Sequence, residues 1–167
     1  MEEKVFWVGF NHDKGIGAVR LKSLLDFFGN LSTAWNAPSS ALRNAGLSEK
    51  IVERFNQFRN DIDLDVLYEN VHQSGVKVVT WVDDGYPKRL REIDQAPPVL
   101  YIRGSIILED EWAVAIVGTR RMTGYGRQVS NEIASFLARN GVTVVSGLAR
   151  GVDGMAHQSA LNAGGRT

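Results

Sequence analysis

The stretch that decides the fold runs from Trp112 to Thr167 and reads WAVAIVGTRRMTGYGRQVSNEIASFLARNGVTVVSGLARGVDGMAHQSALNAGGRT. Buried strands are predicted over Ala113 to Val117 and Val142 to Val145, and each runs into a glycine-rich turn and then a helix. Continuous Val/Ile runs that alternate with helices are typical of a parallel α/β sheet. The second half of the chain is therefore predicted to be α/β.

The two helices of this stretch have clear limits in the sequence. The first is predicted to end at Gly141, and the second to start near Val152. The apolar residues of the first helix recur at helical spacing and are predicted to face the core: Val129, Ile133, Phe136 and Leu137.

The two glycine turns, 118–120 and 146–151, are predicted to form an anion pocket. A right-handed crossover makes the strands parallel, so both turns emerge at the carboxyl edge of the sheet. Glycines there let backbone N–H groups point outward, and each turn leads into the positive end of a helix. Four arginines add full charge on or near this edge: Arg120, Arg121, Arg127 and Arg150. The expected ligand is phosphate.

Composition narrows the class of protein. The chain has 167 residues, enough for one domain or two small ones, and it has no cysteine, which excludes disulfides and thiolate metal sites. No membrane-spanning run or secretory signal is found, so a cytoplasmic protein is predicted. No metal or cofactor is predicted. Residues 1–74 carry eight Lys/Arg against ten Asp/Glu, whereas residues 112–167 carry six arginines against two acids. Positive charge thus accompanies the glycine turns.

The first 74 residues are predicted to form a separate helical domain. A helix over Glu2 to Phe10, with Val5 and Val8 inward, precedes a hairpin at 11–17 and a helix over Ala18 to Phe28. A second hairpin at 45–47 again separates two helices, which indicates tandem helix–hairpin–helix units in an all-α bundle. Such hairpins can offer amides to DNA phosphates. The negative net charge favours a structural or protein-binding module instead.

The second domain is predicted over 75–167. Strands are expected at 76–81 and 99–103, so residues 76–111 are either the first edge of the α/β domain or an element linking to it. Residues 162–167 are predicted to end a helix, after which a third parallel strand would be expected. A doubly wound sheet has more strands than this, so the sequence is predicted to be part of a longer protein.

Three motifs in this order carry a family resemblance: DDGYPKRLREIDQAPPVLYIRG, IVGTRRMTGYG and SGLARGVDGMAHQSAL. Together they resemble the bacterial DNA-processing protein A family, DprA or Smf, over essentially the whole chain. The resemblance implies a sterile-alpha-motif-like (SAM-like) helical domain followed by a truncated Rossmann-like domain. It further implies a non-enzymatic protein that binds and protects single-stranded DNA, loads a RecA-type recombinase in natural transformation, and is a homodimer at full length.

The resemblance also implies a set of site residues. The family's phosphate pocket falls on both turns of this sequence: Gly118, Thr119, Arg120, Ser146, Gly147, Ala149, Arg150 and Gly151. Asp153 and His157 complete the second motif. Later strands of the family add pocket residues and dimer contacts, so dimerisation and full DNA affinity are expected to need residues beyond this stretch.

Several roles stay open at the level of sequence. Tyr125 either stacks on a base or packs under a helix start. Asp153 and His157, at i and i+4, are either an acid–base pair or, as we prefer, a helix cap or arginine-orienting group beside a packing residue. Arg121 and Arg127 contact phosphate or lie on a solvated helix face. The alternative function is a nucleotide-processing, phosphoribohydrolase-like enzyme, for which the α/β stretch offers only Glu132 and Asp153 as acids.

Overall fold

The computed structural model describes residues 3–167 and divides into two compact units, Met1–Gly104 and Ser105–Thr167. The boundary predicted from the sequence, after residue 74, lies before the first strand, whereas the compact units divide after the second strand. The physical reason is that the two strands of the first unit pack on its central helix, as described below.

Within residues 3–104, the first unit contains six helices, a two-stranded sheet and a short helix between the strands. In chain order these elements are α1 Glu3–His12, α2 Ala18–Phe28, α3 Leu31–Asn36, α4 Ser39–Asn44, α5 Glu49–Asp61, α6 Leu64–Gln73, β1 Lys77–Thr80, α7 Lys88–Arg91 and β2 Val99–Ile102. The helix predicted over 18–28 is confirmed at both ends, and Leu21 and Leu24 are buried on its inner face. The six-residue α3 was not predicted because it is too short to show a helical period.

Helix α1 is the centre of the first unit. Two inward valines were predicted, but six consecutive residues from Val5 to Phe10 are buried. The prediction was incomplete because α3, α6, β1 and β2 all contact α1, so the helix has almost no solvent face. Phe10 stacks on Phe55 at 5.0 Å between ring centroids and meets Trp35 edge-on at the same distance. These rings supply much of the buried apolar area of the unit.

Strands β1 and β2 form their own antiparallel sheet, in which Lys77 pairs with Ile102 and Thr80 with Val99. They do not join the parallel sheet of the second unit, so the expectation that residues 76–111 form an edge of that sheet is wrong for the described residues. Val78 and Val99 belong to the same apolar cluster as α1. The strands are therefore held by the helical core of the first unit.

The first hairpin, between α1 and α2, is occupied by the protein's own side chains. The Gly15 N–H donates to Asp13 Oδ1 at 2.7 Å, and Arg20 Nη1 donates to the Gly15 carbonyl at 2.8 Å. Arg54 pairs with Asp13 and lies so close to Gly15 that a Cβ there would be 1.3 Å from the Arg54 Nη2 atom. The hairpin backbone is thus largely covered.

The second unit follows the strand–helix–strand–helix order predicted. After a 3-10 turn at Leu108–Glu111, its elements are β3 Ala113–Ala115, α8 Gly124–Arg139, β4 Thr143–Val145 and α9 Val152–Asn162. Strands β3 and β4 are parallel, with Ala113 opposite Thr143 and Ala115 opposite Val145. On the other side of β4, the Val144 N–H donates to the Arg166 carbonyl at 3.0 Å.

The face of α8 that is buried differs from the one predicted. Small residues face inward on this helix, namely Ser130, Ala134 and Ala138, and the two alanines share an apolar cluster with Ala156 and Ala160 of α9. Ile133 and Phe136, which were predicted to face the core, are exposed, and only Leu137 of the predicted stripe packs against it. Close helix–helix approach selects small side chains, and hydrophobicity alone did not reveal that.

The strand predicted as buried over 113–117 is also partly exposed. Val144 is fully buried beneath the helices, whereas Val114, Val117 and Val145 are exposed. Helices α8 and α9 contact β4, and of the residues in the two predicted strands the apolar cluster contains Val144, with Ile116 packed against it. The continuous Val/Ile runs therefore reflect a sheet with two apolar faces, of which one is covered within residues 3–167.

Candidate anion-binding cleft

Two loops meet at the carboxyl edge of the β3–β4 sheet. The first loop is residues 118–123, between β3 and α8, and the second loop is residues 146–151, between β4 and α9. The last ladder pair is Ala115 with Val145, and the Ile116 N–H still donates to the Val145 carbonyl at 2.9 Å. Parallel pairing up to this point delivers both loops to the same edge.

The loops are fastened to each other by one side-chain and one backbone hydrogen bond. Ser146 Oγ donates to the Ile116 carbonyl at 2.5 Å, and the Val152 N–H donates to the Thr119 carbonyl at 3.2 Å. At Gly151, which has φ +89°, a Cβ would lie 2.2 Å from the Thr119 carbonyl oxygen. Only glycine permits this approach, so Gly151 fixes how closely the second loop lies against the first.

Asp153 joins the same two loops through its carboxylate. The side chain is buried, with 6% of the residue exposed, and Oδ1 accepts the Gly118 N–H at 3.3 Å while Oδ2 accepts the Gly147 N–H at 3.1 Å. The sequence had suggested that Asp153 caps α9 or orients an arginine, but its carboxylate accepts hydrogen bonds from these two loop amides instead. Two of the glycine amides that were expected to face an anion are consequently satisfied inside the protein. Asp153 is a positioning residue for both loops.

An arginine cleft remains outside this fastened centre. It is a cavity of about 430 Å³ lined by Arg120, Arg121, Ala149 and Arg150. The three arginines are exposed, and none forms an ion pair with a carboxylate in the part of the chain that the structure describes. Three guanidinium groups around one concavity repel each other unless an anion lies between them. Planar guanidinium groups suit the bidentate contacts that phosphate oxygens accept.

Backbone donors also remain for a ligand. Thr119 Oγ1 accepts the Arg121 N–H at 3.1 Å, which shapes the first loop. The N–H groups of Arg120, Ala149 and Arg150 have no protein acceptor within residues 3–167. Amides and arginines thus occur together in the two predicted turns, and the free amides are those of Arg120, Ala149 and Arg150, whereas the Gly118 and Gly147 amides are taken by Asp153.

Other predicted site residues lie elsewhere. Arg127 lines a separate groove between α8 and α9, with Gln128, Asn131 and Gln158 among its neighbours, and is not among the residues that line the arginine cleft. Tyr125, at the start of α8, is 78% exposed and does not pack under the helix. Sequence spacing could not separate Arg127 from Arg121, because a helix turn intervenes.

The acid–base pair considered for Asp153 and His157 is not assembled. Both oxygens of Asp153 accept loop amides, and His157 Nδ1 contacts Thr167 Oγ1 at 2.5 Å. His157 therefore interacts with the segment after α9. The two hydroxyls near these residues are also engaged within the protein, because Ser146 Oγ donates to the Ile116 carbonyl and Thr167 Oγ1 donates to the Val144 carbonyl at 2.7 Å.

One charged pair that the sequence did not reveal supports the second unit at the amino ends of β3 and β4. Arg166 Nε and Nη2 contact Asp110 Oδ1 and Oδ2 at 2.5 and 2.8 Å, and Thr143 Oγ1 also donates to Asp110 at 3.0 Å. The Arg166 hydrogen bond, aided by the Ile107 N–H and Thr143, holds the pKa of Asp110 well below its ordinary value against the effect of burial. The same pair raises the pKa of Arg166. It ties the segment after α9 to the turn before β3.

Comparison with known proteins assigns the chain to a family. The family model described as DNA recombination-mediator protein A matches residues 77–167. The chain belongs to this family. The resemblance seen in the sequence is thereby confirmed. The family's match includes both loops and the arginine cleft.

Individual relatives also match the chain. Protein Smf of Synechocystis sp. is 36% identical over 170 residues, which is 99% of this chain and 43% of the relative. DNA processing protein DprA of Bacillus subtilis is 38% identical over 96 residues, covering 57% of this chain and 32% of the relative. The chain thus spans less than half the length of these relatives.

A solved structure confirms the predicted fold class. DNA processing protein A from Streptococcus pneumoniae superposes with a TM-score of 0.74 at 24% identity, covering 98% of this chain and 54% of that one. The helical N-terminal part and the parallel α/β part therefore belong to a known fold. Within residues 3–167, no helix is both long and apolar enough to cross a membrane.

Proposed function

We propose that this protein binds single-stranded DNA through its phosphates at the arginine cleft. The observation that carries the proposal is the presence of three unpaired arginines, Arg120, Arg121 and Arg150, around one concavity at the carboxyl edge of a parallel sheet. Membership of the DNA recombination-mediator protein A family supports DNA as the polyanion. Phosphate contacts of this kind give affinity with little sequence readout.

The fastened loops give the proposal its mechanism. Asp153, Ser146 and Gly151 hold the loops in one arrangement before any ligand arrives. Arg120 and Arg150 are therefore preorganised, and binding loses little conformational entropy in the backbone. Adjacent phosphates of a flexible strand can be placed between the guanidinium groups, and the exposed Tyr125 ring at the start of α8 is available to stack on a base.

A salt titration tests this mechanism. Affinity for a labelled oligothymidine is measured by fluorescence anisotropy at about 50 and 200 mM salt, for the intact protein and for Arg120→Ala and Arg150→Ala. Each variant should bind all strands more weakly and shallow the slope of log K against log salt by about 0.7 for each lost phosphate contact. Arg139→Ala is the matched control, because Arg139 lies at the far end of α8. An unchanged slope in the cleft variants would contradict the proposal.

A binding role is favoured over the enzymatic alternative. A phosphoribohydrolase needs carboxylates free to act on the substrate. Asp153 is committed to the two loop amides, and Glu132 lies on the surface of α8, where it accepts a hydrogen bond from Gln128 at 2.9 Å. Release of free base from a nucleoside monophosphate by the intact protein, measured by chromatography, would reverse this preference.

The helical part is proposed to serve structure or partner binding rather than DNA contact. The net negative charge of residues 1–74 and the covered backbone of the first hairpin support this view. The start of the family match at residue 77 supports the functional division after residue 74. Lys14→Ala, on the exposed tip of that hairpin, should leave the DNA dissociation constant unchanged in the same assay, and a marked loss would refute the assignment.

Family membership also suggests that the full-length protein is a cytoplasmic homodimer that protects DNA and passes it to a RecA-type recombinase. Exposed apolar residues of the second unit, including Trp112, Val117 and Phe136, offer surface for such assembly. Sedimentation velocity of the full-length protein measures the dimer directly. Recombinase filament formation on protein-coated DNA measures the transfer, and no stimulation would exclude it.

A further inference from the structure

Leu148, in the middle of the second loop, has an unusual backbone conformation. Its φ is +53°, and it is the only non-glycine residue with positive φ within residues 3–167. The left-handed region is unfavourable for a side chain with a Cβ, and glycine would adopt it freely. Its neighbour Gly147 shows that the loop already uses glycine where space requires it.

The surrounding contacts explain how this conformation persists. On one side of Leu148 the Gly147 N–H donates to Asp153, and on the other the Ala149 carbonyl accepts the Gly154 N–H at 3.0 Å. The loop is therefore fixed at both flanks, and Leu148 must adopt the backbone angles that the flanks impose. Such a residue is held by the structure around it and does not hold that structure.

The side chain of Leu148 has no role in packing. It is 78% exposed and belongs to no apolar cluster of the described residues. A leucine that costs backbone energy and buries nothing does not serve the stability of the fold. Strain of this kind is concentrated where a ligand is bound.

The position of Leu148 indicates which ligand group it meets. The next residue, Ala149, lines the arginine cleft together with Arg120, Arg121 and Arg150. On a nucleic acid, the groups adjacent to a phosphate are a sugar and a base. Base faces are open in a single strand and are stacked away in a duplex.

We propose that Leu148 contacts the face of an unstacked base next to the bound phosphate, and so makes the cleft prefer single-stranded DNA. The inference rests on the proposed function and adds the part that phosphate contacts cannot supply. Arg120 and Arg150 attract any DNA backbone, whereas an apolar side chain gains from a base face only when that face is exposed.

The test compares strands with and without bases. Affinities of the intact protein for an oligothymidine, for an abasic strand of equal length and for a duplex are measured by anisotropy. Leu148→Ala and Leu148→Gly should lose about fivefold in affinity for oligothymidine and nothing for the abasic strand. Leu161→Ala is the matched control, because Leu161 is another exposed leucine and lies at the end of α9. It should change neither affinity.

Each other outcome decides the matter. Equal losses for the two strands, or no loss for oligothymidine, would overturn the role of Leu148 while salt-dependent binding through Arg120 and Arg150 still stood. Absence of binding to both strands would defeat the proposed function itself. Leu148→Gly should melt at the same or a higher temperature because it relieves the strain, and a lower melting temperature would show that Leu148 serves the fold instead.

Discussion

Replacing Asp153 with asparagine should loosen both loops at once. The carboxylate is the shared acceptor for the Gly118 and Gly147 amides, at 3.3 and 3.1 Å. Asp153 is buried, with only 6% of the residue exposed. Asparagine has nearly the same shape but presents one oxygen and one NH₂ group. One loop amide would then face a donor, and the other would lose a charged acceptor.

The size of the effect follows from these two contacts. A hydrogen bond to a charged group contributes about 1.5–3 kcal/mol, and an unsatisfied buried donor costs about 1–3 kcal/mol. Asparagine keeps one neutral hydrogen bond, so we expect the second unit to lose about 2–4 kcal/mol of stability. A loss of 2 kcal/mol in local opening corresponds to about thirtyfold faster amide exchange.

Hydrogen exchange followed by mass spectrometry measures the local loss of stability in each loop. Peptides that cover the first and second loops should exchange faster in Asp153→Asn, while peptides from α1 and α5 of the first unit should not change. Asp84→Asn is the matched control, because Asp84 is an exposed carboxylate in the first unit with no hydrogen bond or ion pair among the described residues. Affinity for oligothymidine should fall with the loss of loop order, since the arginines are then less preorganised.

The reasoning would be refuted by normal exchange in both loops of Asp153→Asn. It would also be refuted if only one loop were loosened in Asp153→Ala, because removing the carboxylate takes the acceptor from both amides. A variant with ordered loops but lost DNA binding would instead make Asp153 a direct ligand contact, which its two internal hydrogen bonds argue against.

Two further predictions concern the same unit. Gly151→Ala should abolish high-affinity binding and lower the melting temperature, because its Cβ would lie 2.2 Å from the Thr119 carbonyl oxygen at a φ of +89°; a variant with unchanged melting and affinity would contradict this. The depressed pKa of Asp110 means that its contribution to stability is present above about pH 4 and is lost as the pH falls towards its folded-state pKa. Acid unfolding of the second unit, followed by segment-resolved exchange, should therefore lose part of its pH dependence in Asp110→Asn, and an identical profile would exclude the Arg166 pair as its source.

Local patterns predicted the elements well wherever a segment is half-exposed. The boundaries of α2 were obtained from the sequence because its apolar residues follow a helical period and Gly29 ends it. Helix α1 defeated the same method because it is surrounded and therefore has no polar face. The same method failed for the buried face of α8, because that face is made of Ser130 and two alanines and not of large apolar residues.

The separation of the β1–β2 sheet from the parallel sheet was likewise beyond local patterns. A local pattern predicts that a segment is extended, but it does not predict which strand that segment pairs with. Val78 and Val99 would satisfy either arrangement, and their contact with the core around α1 decides it.

The sequence by itself determined that two glycine loops rich in arginine meet at one edge of a parallel sheet. This follows from chain-local signals, namely β-branched runs, glycines and helical periods, together with the fixed handedness of the crossover. Only the tertiary structure decided that Asp153 takes the glycine amides, that Arg127 lies in another groove, and that Leu148 is strained and exposed. Those outcomes depend on contacts between residues that are distant in the chain, or on backbone angles that such contacts impose. The local sequence around each position contains no signal for either.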